Sequence, residues 1–93
     1  MIINPIKKRR VEKRLTQADL AILLGVSQVY ISQFETGGLT PSDSQIKEIT
    51  EILGIDEETL NRELRQFYEA RKKELKKRIE GGASILAPQN RGG

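Results

Sequence analysis

Ninety-three residues with 31% charged side chains and a net charge of +3 make one small domain plus an appendage, whose core is marginal unless its helices are well capped or the chain associates. With no cysteine and no histidine, disulfides and thiolate sites are excluded and the commonest general base and metal ligand are missing, so neither enzyme chemistry nor a metal or cofactor is expected. The N-terminus has basic residues but no apolar stretch long enough for a signal peptide or a membrane span, which makes a cytoplasmic protein the expectation.

Met1 to Ile3 read as a short arm. Asn4-Pro5 then combines an N-cap residue with the ring that suits a first helical position, so a first helix is expected from Pro5 to about Lys13. Ile6 and Val11 are its expected buried residues, with Leu15 tucking the following connection into the core. The basic run Lys7 to Arg14 reads mostly as a solvated face.

Thr16 with Asp19 three residues on forms a capping box, which starts a second helix. Leu20, Ala21 and Leu24 make its buried stripe, leaving Ile22 and Leu23 turned partly outward as an apolar surface to be covered by something else. Gly25 follows the stripe where a chain leaving a helix needs a left-handed residue, and Ser27 can cap a third helix that buries Ile31 and Phe34. Two helices joined by a three- or four-residue turn containing glycine are a helix-turn-helix unit, whose second helix fits the DNA major groove. The outward face of that helix carries Gln28, Val29, Ser32 and Gln33.

The loop Thr36 to Pro41 is polar, and Gly37-Gly38 supplies a permissive backbone for leaving the third helix. Ser42 and Gln45 form another capping box, so a fourth helix is expected from Asp43 to Leu53 with Ile46, Ile49 and Leu53 inward and Gly54 as its stop. Asp56 caps a fifth helix, and no breaker appears before Gly81-Gly82, giving some 24 residues and roughly 36 Å. Leu60, Leu64, Phe67, Tyr68, Leu75 and Ile79 fall on one stripe of this helix, interrupted by Arg71 and Glu74, with a heptad too short for a coiled coil. The Gly- and Pro-containing segment 81–93 reads as a disordered tail.

Charge is ordered basic, acidic, basic. Residues 1–40 hold six cations against three carboxylates, residues 41–69 three against eight, and residues 70–93 seven against two. The helix-turn-helix thus lies in a basic third, as binding to a phosphate backbone requires. The second basic block, Arg71 to Arg78, reads first as a solvated helix face, with a nonspecific DNA contact and a site for an acidic partner as the two alternatives.

About residues 5 to 60 resemble the Cro and phage-repressor (XRE-like) helix-turn-helix family. The resemblance rests on Thr16-Gln17, Leu20-Ala21, Gly25-Val26-Ser27, Tyr30-Ile31-Ser32, Glu35 followed by Gly37, Pro41, and Leu53-Gly54-Ile55. It implies an all-α, five-helix domain over residues 1–60, followed here by an extension of the fifth helix over 61–80 and the tail 81–93.

The resemblance also implies roles. An arginine of the first helix pairs in this family with a glutamate ending the third, which matches Arg10 and Glu35; the alternative is two independent surface charges. Gln17 matches a glutamine that holds a DNA phosphate. Gln28 and Gln33 are the expected base readers, because an amide can bond adenine N6 and N7 together, with Val29 against a thymine methyl and Ser32 beside them. Thr16, Ser27, Tyr30, Thr36 and Gly38 are expected at phosphates. The family's loop after the third helix often carries basic residues; this one has none, leaving backbone amides of Gly37 and Gly38 for that task.

The function expected on this basis is sequence-specific binding to double-stranded DNA as a transcriptional repressor or regulator. Ile22, Leu23, Leu64, Phe67, Tyr68, Leu75 and Ile79 are expected to form a dimer or packing surface, covered by a second subunit or by the chain's own long helix, and a homodimer is the expected working species. The competing reading is a protein-interaction module, antitoxin-like or an adaptor, that binds a protein partner through its long C-terminal helix.

Overall fold

The computed structural model describes the backbone of residues 3–86 and the side chains of residues 3–81. Among them are five α-helices and no strand: α1 (Pro5–Glu12), α2 (Gln17–Leu24), α3 (Gln28–Thr36), α4 (Asp43–Leu53) and α5 (Glu57–Leu86).

Local chemistry accounts for most of the helix ends. The Asn4 side chain accepts from the amides of Ile6 and Lys7 ahead of Pro5. Complete capping boxes open α2, between Thr16 and Asp19, and α4, between Ser42 and Gln45. Gly25 ends α2 at φ 74°, a left-handed conformation that only glycine adopts without strain. Ser27 stands at the N-cap position of α3 but makes no capping hydrogen bond, so the cap expected from its hydroxyl is not formed.

Asp56 accepts from both the hydroxyl (2.7 Å) and the amide (2.8 Å) of Thr59. These bonds hold the Asp56 carboxyl below its ordinary pKa, and those from Thr16 do the same for Asp19. A carboxyl depressed in the folded state contributes stability above its unfolded pKa of about 3.9 and loses that contribution as pH falls through the folded value. Urea unfolding is therefore expected to show stability declining below about pH 4. Asp56→Asn, which keeps a capping side chain, should change little at neutral pH and flatten the acid decline. An unaltered acid slope in this variant would exclude the Asp56 cap as a cause.

The core joins all five helices through Ile6, Leu20, Leu24, Ile31, Phe34, Ile46, Ile49, Leu53, Leu60 and Leu64. Val11, expected inside, is 56% exposed. Ile6 and Arg10, four residues apart, share the inward stripe of α1, and Val11 is turned about 100° away from Arg10. Leu64 and Phe67, assigned above to a dimer or packing surface, are each only 4% exposed and lie buried within their own chain. Tyr68 is half-buried against the same core. The reason is that α5 lies along α1, where Arg9 bonds both oxygens of Glu63 (3.2 and 3.0 Å), so the domain continues past residue 60.

Beyond Glu74 the helix leaves the domain, which gives a longest dimension of 48 Å against 25 and 23 Å across. Leu75 (39% exposed) and Ile79 (64%) lie on this part. The helix does not stop at Gly81-Gly82 as expected but runs to Leu86. Glycine lowers helix propensity by only about 1 kcal/mol, and Gly81 does not adopt the left-handed turn that would end the helix. The expected tail thus begins as helix, and residues 87–93 lie outside the described part.

Candidate nucleic-acid interface

The two middle helices, α2 and α3, pack on each other through Leu20, Leu24 and Ile31, leaving one face of α3 outward. Gln28, Val29 (63%), Tyr30 (47%) and Gln33 are exposed on it, and Ser32 is half-exposed. Thr16, Ser27, Thr36 and Gly38 are exposed around it. The Tyr30 ring leans on Phe34 with centroids 6.5 Å apart.

Beneath this face Arg10 and Glu35 meet as a buried pair, their side chains 10% and 3% exposed. Arg10 Nε donates to Glu35 Oε2 at 2.6 Å and Nη2 to Oε1 at 3.1 Å, while Nη1 donates to the Leu15 carbonyl at 2.7 Å. The hydrogen bonds with Glu35 raise the Arg10 pKa above its ordinary value, outweighing the lowering by burial. The arginine's side of the pair is therefore fully present at neutral pH and is lost only in strong alkali. Glu35 lies near the C-terminal end of α3, where the helix dipole opposes a negative charge and a cation is needed beside it.

The pair extends outward through two glutamines, contacts that no local pattern in the sequence records. Gln17 Nε2 donates to Glu35 Oε1 at 3.1 Å, and Gln28 Nε2 donates to Gln17 Oε1 at 3.4 Å. A carboxylate only accepts, so Gln17 must face Glu35 with its NH2 group and turn its carbonyl toward Gln28. Each amide nitrogen has two hydrogens, which leaves both Gln17 and Gln28 one free N–H. Gln28 also keeps its carbonyl, so the donor and acceptor needed for an adenine edge remain together.

Asn4 does more than cap α1. Its Nδ2 also donates to the Phe34 carbonyl at 3.0 Å, tying the start of α1 to the end of α3. Nothing local distinguishes such an asparagine from an ordinary cap. The amides of Gly37, Gly38 and Leu39 all donate to the Gln33 carbonyl, at 3.1, 2.9 and 3.2 Å. Those donors close the end of α3, so the phosphate contact expected from the amides of Gly37 and Gly38 would have to share them.

The helix-turn-helix family matches residues 6–60, more than half of the chain and all of the arrangement just described except Asn4. This chain belongs to that family. The helix-turn-helix here is of the XRE, or Cro/C1, type, a DNA-binding family. The chain is also similar to the 10 kDa protein of the ImmF control region of Bacillus phage phi105, with 37% identity over 51 residues. That match covers 55% of this chain and 57% of the phage protein, so the chain spans somewhat more than half the length of the relative it matches. Among the described residues no helix is long and apolar enough to cross a membrane.

Proposed function

We propose that this helix-turn-helix protein is a transcriptional regulator, a repressor that binds a specific duplex DNA site as a homodimer. The observation that carries the reading is the outward face of α3, where Gln28 is held by Gln17 with a donor and an acceptor still free for a base edge. Its family, its similarity to a phage control-region protein and the basic first third of the chain support it. Selection of bound duplexes from a random pool tests it. A preferred site whose affinity falls steeply with salt is expected, whereas absence of any preferred sequence overturns it.

Homodimerisation follows from specificity: one recognition helix reads only a few base pairs, too little to select one site in a genome. Leu75 and Ile79 on the projecting part of α5, and Ile22 and Leu23 on α2, are among the exposed apolar residues and are available to a second copy. The site is then an inverted repeat with half-sites about 34 to 36 Å apart.

A truncation that probes this must end after Ala70, because an earlier cut would remove Leu64 and Phe67 from the core. In sedimentation equilibrium the full chain should dimerise at tens of micromolar and the truncated chain should be monomeric. Equal dimerisation of both would remove the projecting helix from the interface. If the full chain is monomeric and binds no preferred duplex, the exposed positions of α5 favour the competing reading, docking of an acidic or apolar protein partner.

A further inference from the structure

The loop after α3 has neither cations nor free amides at its start, yet the end of a recognition helix is where a DNA strand comes near. A nine-residue helix is about 13.5 Å long, and the major groove is about 12 Å wide, so a helix reading bases with its first turn brings its last turn close to a flanking strand. The end of α3 is also the negative end of its dipole, which repels phosphate unless a cation stands beside it.

The fifth helix brings one. Phe67 packs over Gly37: a methyl group built on that glycine would lie 3.2 Å from the Phe67 ring and 3.8 Å from Arg71 Nε. Phe67 and Arg71 are four residues apart and share a face of α5, so the packing that buries Phe67 carries Arg71 to the end of α3. Lys7, exposed on α1, lines the same recess together with Thr36 and Arg71. Two carboxylates also line it, Glu35 and Glu74. Glu35 is neutralised by Arg10, and Glu74 meets Arg71 only at 4.0 Å with both side chains well exposed (39% and 44%). The guanidinium is therefore accessible and only loosely engaged, and it carries a fork of donors suited to a phosphate.

Resting on the DNA-binding reading above, we propose that Arg71, assisted by Lys7, is a phosphodiester-binding site at the end of the recognition helix. It supplies the cationic phosphate contact that the loop Thr36 to Pro41 lacks. The contact is to the backbone, so it strengthens binding to every duplex and carries no base preference.

The test is the salt dependence of duplex binding by the full chain, on the selected site and on a random duplex, with melting temperature measured alongside. Each phosphate contact contributes about 0.9 to the slope of log K against log salt, so Arg71→Gln should lose that much. Between about 50 and 200 mM salt its affinity should then fall roughly 3- to 4-fold less than that of the parent. The loss should be equal on both duplexes and the melting temperature unchanged. Arg71→Lys should keep the slope, Lys7→Gln should lower it, and Arg62→Gln, the same charge change at the other end of α5, should leave it alone. An unchanged slope in Arg71→Gln overturns the proposal, as does weakened binding that merely accompanies a lowered melting temperature. Gln28→Ala separates the two levels. If it alters base preference while Arg71→Gln leaves the slope intact, this site fails and the DNA-binding reading stands; if no variant, nor the parent, binds duplex, both fail.

Discussion

Replacing either Arg10 or Glu35 alone with an apolar residue is expected to cost about 3 to 5 kcal/mol of folding stability. Each single replacement leaves an ionised partner nearly out of contact with water. The Glu35 carboxylate would lose both Arg10 bonds and keep only Gln17, while the Arg10 guanidinium would keep only the Leu15 carbonyl. A domain of this size commonly has only about 5 to 15 kcal/mol in total, so either variant should melt far earlier than the parent or fail to fold at working temperature. Replacing both together should cost clearly less than the two singles added, since no uncompensated charge then remains buried. A double-mutant cycle by urea unfolding measures this. Additive losses, or single losses below about 1 kcal/mol as for exposed pairs, would show that burial of the pair does not govern stability.

Gln28→Ala and Gln33→Ala are each expected to cost about 1 to 3 kcal/mol on the preferred site and to relax selectivity at different base pairs. The two residues are five apart on α3, about 7.5 Å along its axis, or roughly two base-pair steps. Gln17→Ala should behave differently from both. It removes the free N–H that can meet a phosphate, which weakens every duplex, and it also removes the acceptor that steadies Gln28, which relaxes preference at that residue's base pair alone. The measurement is affinity of the parent and three variants across a panel of single-base substitutions in the selected site. If Gln28→Ala and Gln33→Ala weaken all sequences alike, they are not base readers. If Gln17→Ala leaves the Gln28 position fully selective, the Gln17–Gln28 bond has no part in recognition.

The sequence by itself determined what depends on neighbours within about one helical turn. Thr16 with Asp19, Ser42 with Gln45, and the caps at Asn4 and Asp56 set the starts of four helices, and Gly25, Gly37 and Gly54 set the ends of three, because each acts on backbone groups beside it. The apolar stripes of α2, α3 and α4 were legible for the same reason: a helix's period fixes which residues share a face once the start is known. The helix-turn-helix and the outward Gln28, Val29, Ser32 and Gln33 followed directly.

Only the tertiary structure decided matters that join distant parts of the chain. Arg9 with Glu63 are 54 residues apart and Asn4 with Phe34 are 30 apart, and no local pattern records that α1 lies between α3 and α5. That same placement sent Leu64 and Phe67 into the core and Arg71 to the end of α3, although periodicity had put all the apolar residues of α5 on one stripe. Val11 shows the complementary case. Its hydrophobicity pointed inward, but the inward position belongs to Arg10, because a buried carboxylate from α3 waits there and an unpaired buried charge costs more than an exposed valine.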